Sequence, residues 1–334
     1  MEQRNKLKKR LEWVDLTKGI AIMLVVIGHM LRGFTSSRMY IEYENIFRYI
    51  DYIIYSFHMP LFFIISGVLY KKGKKINTIE KYLRFIGKKF NALMIPYFIF
   101  SWIQIIIKLI MSNSVNNKVD YKSFINILFK PIEQFWFLYV LMIIFIIMPI
   151  IDVIINNIIK ISIIALLFII VKIIPINLGI VGTALYNLLY FYVGCIIVNI
   201  YSNLLKKNTY ISLCIVYIII NFMVYILPIS KAWDNVGGII MAIVGSLLVI
   251  ELTKAFQYKE NILVNVLKCI GKHSMAIYLL HIILASGIRI ILVKLGVENM
   301  ILHIALGLIF GVYIPIILDK FYMKVKILKN NLNL

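Results

Sequence analysis

Apolar residues fall in long runs separated by short polar segments that are mostly basic, and a hydrocarbon span needs about 20 mostly apolar residues. Ten such runs are legible, near 13–34, 52–70, 90–111, 134–151, 158–174, 184–201, 210–227, 236–254, 274–295 and 299–318. The fifth and sixth have the least distinct boundaries. No connection is long enough for a separate globular domain. The pattern predicts an all-α polytopic membrane protein of about ten transmembrane helices in one bundle. Residues 1–334 form a single membrane domain, with basic tails at 1–12 and 319–334.

Composition agrees. A hydrophobic content of 62% in 334 residues, with a mean hydropathy of +0.91, excludes a soluble domain of this size. The net charge of +21 would ordinarily suggest a nucleic-acid partner, but here the basic residues flank apolar runs rather than forming a solvated face. The expected partner is the lipid bilayer, with no nucleic acid. With the N-terminus inside, the inner segments hold 24 Lys and Arg and the outer segments 10, with Lys18 and Arg289 inside spans. Cytoplasmic loops are enriched in these residues, so both termini are expected to be cytoplasmic. Three cysteines, Cys195, Cys214 and Cys269, sit in or beside apolar runs and imply no disulfide framework. The first apolar run is too long for a cleaved leader and is expected to remain as the first span.

Three ionisable residues interrupt that picture, because Asp15, Lys18 and His29 lie in or beside the first span. An ionisable group inside a bilayer is expensive and points to a site. At about 100° per residue, Lys18 and His29 fall within about 20° of each other and Asp15 and His29 within about 40°. One polar stripe therefore carries all three, with His29 roughly 16 Å from Lys18 along the axis. Histidine titrates near neutral pH and can act as a general base toward a hydroxyl. A histidine bonded between helices and an interfacial Asp15–Lys18 pair are the plainer readings of the same residues.

The second span, Phe57 to Gly67, reads FHMPLFFIISG and brings His58 into the same half of the membrane as His29. Pro60, Ser66 and Gly67 are explained by kinking and close packing. Basic residues crowd the stretch 71–89, where Lys71 to Lys75 fit ordinary membrane anchoring. Lys81, Arg84 and Lys88 recur at helical spacing along one face, with Lys89 beside them, and suit a phosphorylated donor arriving from the cytoplasm. Trp136 and Tyr139, within FWFLYVL at 135–141, fit an aromatic belt or a stacking platform for a sugar. The ninth span opens GKHSMAIYLLH at 271–281 and supplies His281; farther on, Arg289 asks for a partner, for which Glu298 is the candidate.

Taken together these segments resemble the membrane acyltransferase-3 family, within it the branch of fucose 4-O-acetylase-like proteins. The match runs from Asp15 to Ala21 (DLTKGIA) through Val25 to His29 (VVIGH), then FHMPLFFIISG, the basic stretch leading to Ile95, Pro96 and Tyr97, FWFLYVL and GKHSMAIYLLH. It covers nearly the whole chain. The family's basic residue, ten-residue gap and histidine correspond to Lys18 and His29. The resemblance implies a multi-pass enzyme of the bacterial plasma membrane that moves an acyl group, usually acetyl, from cytoplasmic acyl-CoA to a hydroxyl of an extracytoplasmic glycan or other acceptor. Acetyl-CoA is then a co-substrate, with no tightly bound cofactor and no metal. Where the family commonly has arginine, this chain has Lys18, Lys81 and Lys88, which keep the charge and lose bidentate phosphate recognition.

The residue reading and the resemblance converge on one expectation. His29 and Asp15 serve catalysis, His29 as base or acyl carrier. Lys18, Lys81, Arg84, Lys88 and Lys89 bind the donor, and His58, Trp136, Tyr139 and His281 line the acceptor site. Asp15, about 21 Å from His29 along the helix, would orient Lys18 or a donor group. The alternative is a transporter or flippase of a lipid-linked sugar or small molecule, which predicts inverted repeats; the two halves share no spacing of charged or broken segments. A homo-oligomer is left open.

Overall fold

The computed structural model describes residues 11–112, 118–155, 157–173, 178–200, 209–226, 231–259 and 261–331. Helices dominate, and no strand occurs among the described residues. They are α1 (Glu12–Ser36), α2 (Glu44–Lys71), α3 (Ile79–Ile110), the short α4 (Ser123–Asn126), α5 (Trp136–Ile154), α6 (Asn157–Ile173), α7 (Gly179–Ile200), α8 (Thr209–Ile226), α9 (Lys231–Phe256), α10 (Ile262–Lys272), α11 (Ser274–Lys294), α12 (Met300–Leu308) and α13 (Ile314–Asn331). A π-helical turn, Ile309–Tyr313, joins the last two into one continuous rod.

Each of the ten apolar runs lies on a helix, as the pattern predicts. Among the described residues, eight helical segments are long and apolar enough to cross a membrane, while the fifth and seventh runs give shorter apolar stretches, Ile159–Ile169 and Thr209–Met223. Several elements differ from the sequence reading, and helix α13 continues to Asn331, through most of the segment read as a basic tail. Helix α2 begins at Glu44 rather than near residue 52, its first turn held by an Arg48–Glu44 pair four residues apart. Helix α3 begins at Ile79, where the Thr78 hydroxyl caps the Lys81 N–H at 3.3 Å, so the basic residues from Lys81 to Lys89 ride on the third helix instead of preceding it. Helix α10, in a stretch read as a connection, is eleven residues long and capped by Asn261 on the Val264 N–H. No long apolar run marks it, because it is amphipathic rather than apolar throughout.

The chain divides into two compact units, Met1–Phe62 with Lys206–Leu334, and Phe63–Leu205. In the first unit, α1 packs on α9, α10 and α11, and α11 packs on the rod of α12 and α13. The crossing of α1 and α10 is backbone on backbone. A Cβ on Gly19 would strike the Leu267 carbonyl oxygen, and one on Gly271 would strike that of Asp15. Only glycine permits that approach. His273, at the junction of α10 and α11, bonds Asp319 at 2.6 Å and ties α13 to them.

In the second unit, α5 packs on α3 and α7, and α6 on α7. The last turns of α2 meet α7 through reciprocal glycines, Gly67 against the Phe191 carbonyl and Gly194 against that of Ile64. Several buried polar groups here are paired, which lowers the cost of placing them in an apolar medium. Asp152 accepts from Lys160 at 2.5 Å and from the Tyr70 hydroxyl at 2.8 Å. Glu133 accepts from Lys108 and Gln104, and Gln104 in turn accepts from Gln134.

Candidate active site

Helix α1 carries Asp15, Lys18 and His29 as the periodicity predicts, and the first unit surrounds its two ends differently. At the amino end the wall is α9 and α10. Asp15 is buried and Lys18 half-buried. The Thr17 hydroxyl lies 2.7 Å from that of Thr253, and Lys254 stands over the Trp13 ring at 4.8 Å while facing Glu251 at 3.9 Å. Lys268 on α10 reaches Glu12 at 2.6 Å. Thr253, Glu251 and Lys254 went unremarked in the sequence, although two ionisable residues at the end of an apolar run were the available signal.

Toward the carboxyl end, α2 and α11 bring aromatic and basic groups to His29. Its ring lies 5.2 Å from that of His281, inclined at 55°, and 6.3 Å from Tyr55, edge-on. His58 packs edge-on to Tyr55 at 4.5 Å. The ionisable groups acting electrostatically on His29 are His281, His58 and Arg32. Gly28 makes the Tyr55 approach fit, since a Cβ there would stand 2.8 Å from that ring. Three histidines from three helices, His29, His58 and His281, thus form one cluster, which sequence reasoning anticipated for His58 and weighed for His281.

Hydrogen bonding separates their roles. His281 is buried, and its Nδ1–H donates to the carbonyls of Ile277 at 3.0 Å and Tyr278 at 2.9 Å. In the neutral ring that leaves Nε2 as the acceptor, and it is sealed from solvent without a partner. The Nδ1–H of His58 likewise donates to the Ile54 carbonyl at 2.8 Å. His29 is only half-buried; its ring nitrogens carry no hydrogen bond among the described residues and are not sealed off. Of the three, His29 is the least buried.

Tyr55 and its surroundings were missed. The Arg32 guanidinium carbon lies over the Tyr55 ring, 3.1 Å from its centroid, and the side chain forks onto both oxygens of Asp51 at 2.8 and 3.0 Å. The buried Tyr55 hydroxyl has no partner. The available signal was spacing, for Arg32 follows His29 by three residues and Tyr55 follows Asp51 by four. Beyond this group, Leu31, Phe34 and Phe47 close an apolar cluster with Met39, Tyr40 and Met300. Outside the spans, burial raises the Tyr40 phenol above its ordinary pKa, with Glu298 and Glu42 adding to the effect.

One expected pairing fails. Glu298 is exposed, neighbours Tyr40 and makes no ion pair with Arg289; the guanidinium of Arg289 turns instead onto Gly33 of α1. The turn after α11 carries Glu298 away from the helix face that Arg289 occupies, which a linear separation of nine residues could not reveal.

The remaining candidates belong to the second unit. Lys81, Arg84 and Lys88 are exposed on α3; Lys81 bonds Asn77 at 2.7 Å and Arg84 pairs with Glu80 at 2.8 Å. Lys89 stands over the Phe145 ring at 4.1 Å. Trp136 packs near Phe63, and the Tyr139 hydroxyl donates to the Leu128 carbonyl at 2.7 Å.

The structure is that of a helical membrane protein in which a partly exposed histidine stands among buried ones within the spans. The model of the acyltransferase-3 family, described as an acyltransferase domain, matches residues 11–320, and the chain belongs to that family. No curated protein and no solved structure matches it. It is an integral membrane acyltransferase.

Proposed function

We propose that this protein is a membrane-embedded O-acetyltransferase of the fucose 4-O-acetylase-like branch. It moves an acetyl group from cytoplasmic acetyl-CoA to a hydroxyl of a cell-surface glycan in a bacterial plasma membrane. The observation that carries this reading is the half-buried His29 beside the tautomer-fixed His281, in a chain of an acyltransferase family. The basic bias of the segments assigned to the inside supports cytoplasmic termini and a cytoplasmic donor.

In this mechanism a ring nitrogen of His29 takes the proton of the acceptor hydroxyl as its oxygen attacks the thioester carbonyl. The carbon–sulfur bond then breaks, and His29 returns the proton to the departing thiolate. His281, its Nδ1–H held by two carbonyls, offers Nε2 to an N–H of His29 and so orients the base, the role a third group plays in nucleophile–base pairs. Lys18 takes the donor's acyl-bearing arm. Asp15, buried in the same helix end, positions Lys18. His58 and Tyr55 line the acceptor side.

The test is transfer of radiolabel from acetyl-CoA to the polymer fraction of membranes containing the full chain. His29→Ala, shown to be inserted and monodisperse, lowers transfer by about 10²- to 10⁴-fold. Parent-level transfer by that variant removes His29 from the mechanism, and absence of transfer by the parent protein in every membrane preparation rejects the assignment.

A further inference from the structure

Several acidic and basic groups of the first unit are matched, exposed ones included. Arg32 is taken by Asp51, Arg48 by Glu44, Lys268 by Glu12 and His273 by Asp319. Arg289 stands apart. It lies on α11 within the apolar span Ser274–Lys294, half-buried, and among the described residues it makes neither a hydrogen bond nor an ion pair. Its Nη1 lies against the bare Cα of Gly33, where any Cβ would collide with it. A guanidinium keeps its charge and presents five N–H donors in a planar fork. Leaving such a group unsatisfied within a span is costly, so an anion is the partner it is built to receive.

Its position relates it to the reaction centre. Gly33 is four residues past His29 on α1, about 6 Å along the axis and about 40° around it. Arg289 is eight residues past His281 on α11, about 12 Å along that axis. Two helices that meet at the histidine pair therefore meet again, roughly one turn farther toward the carboxyl end of α1, at a cation. That offset is the size of one sugar residue with its substituents.

We propose that Arg289 binds a carboxylate or phosphate carried by the acceptor, so that the hydroxyl presented to His29 belongs to an acidic sugar or a phosphate-bearing glycan rather than a neutral one. This rests on the acyltransferase reading above and names its substrate class. Arginine suits the task because its fork accepts both oxygens of such a group at once. Gly33 is a second specificity element, since it leaves the space in which the guanidinium lies.

The same chemistry could come from a phospholipid headgroup, and the experiment separates the two. The full-length protein is placed in nanodiscs of phosphatidylcholine, which carries no net charge, and its thermal unfolding is followed with glucuronate, methyl phosphate or methyl glucoside added. Glucuronate or methyl phosphate raises the midpoint saturably and methyl glucoside does not. Arg289→Gln weakens the anion's apparent affinity about tenfold to a hundredfold, as loss of a charged hydrogen-bonding partner implies. Arg289→Lys, which retains charge and guards against a folding defect, gives an intermediate loss. Anion effects identical in parent and both variants overturn the proposal. So does a midpoint shift that depends on Arg289 but appears only with phosphatidylglycerol, which would assign the guanidinium to lipid. His29→Ala separates this claim from the reaction itself, since that variant keeps the anion-dependent shift while losing transfer.

Discussion

The imidazoles of His29 and His281 lie 5.2 Å apart, and the two carbonyls on Nδ1 of His281 fix which nitrogen it can offer. A base and its orienting partner act as a unit, so their losses do not multiply. His29→Ala is expected to lower acetyl transfer by about 10²- to 10⁴-fold, the usual range for a general base. His281→Ala is expected to lose less, and the double variant to match His29→Ala alone. Initial rates of label transfer for the four proteins check this; multiplicative losses would show independent roles.

The crossing of α1 and α10 is closed by Gly19 and Gly271, each facing a backbone carbonyl that cannot rotate away. Overpacking a tight contact costs about 1–3 kcal/mol, so Gly19→Ala and Gly271→Ala should each lower the unfolding midpoint in detergent. Gly287 on α11 meets nothing within 4 Å of a built Cβ. Gly287→Ala should therefore be neutral or raise the midpoint, by up to about 1 kcal/mol of helix propensity.

In the second unit, Lys160 is 3% exposed and its ammonium bonds Asp152 at 2.5 Å. Removing one member of such a pair strands the other, at about 3–5 kcal/mol, whereas replacing both with neutral residues of similar shape is much milder. Lys160→Ala should thus destabilise strongly. Lys160→Met combined with Asp152→Asn should recover most of the loss, with the Tyr70 hydroxyl still able to bond the new amide. Chemical denaturation in detergent, followed by tryptophan fluorescence, measures both.

Lys81 and Lys88 are exposed on α3, so truncating them should move stability by no more than about 0.5 kcal/mol. If they hold donor phosphates, Lys81→Ala and Lys88→Ala raise KM for acetyl-CoA several-fold with little change in kcat. The effect shrinks as salt is added, because exposed charges are screened within about 10 Å at 0.1 M ionic strength. A KM that is unchanged at low salt would take these residues out of donor binding.

Much of this protein is determined by its sequence alone. The ten apolar runs, the all-helical class and the alignment of Asp15, Lys18 and His29 on one helix follow from local hydrophobicity and the 3.6-residue period, which need no knowledge of neighbours. Only the tertiary structure decided that His281 stands beside His29, that Tyr55 lies under Arg32, that α10 is a helix docked on Gly19, and that Arg289 turns to Gly33 rather than to Glu298. The physical reason is that apolar residues cover every face of a membrane helix. The hydrophobic pattern therefore marks where a helix runs but not which face meets which partner, and that choice is made by small residues and by the few polar groups that must find one another.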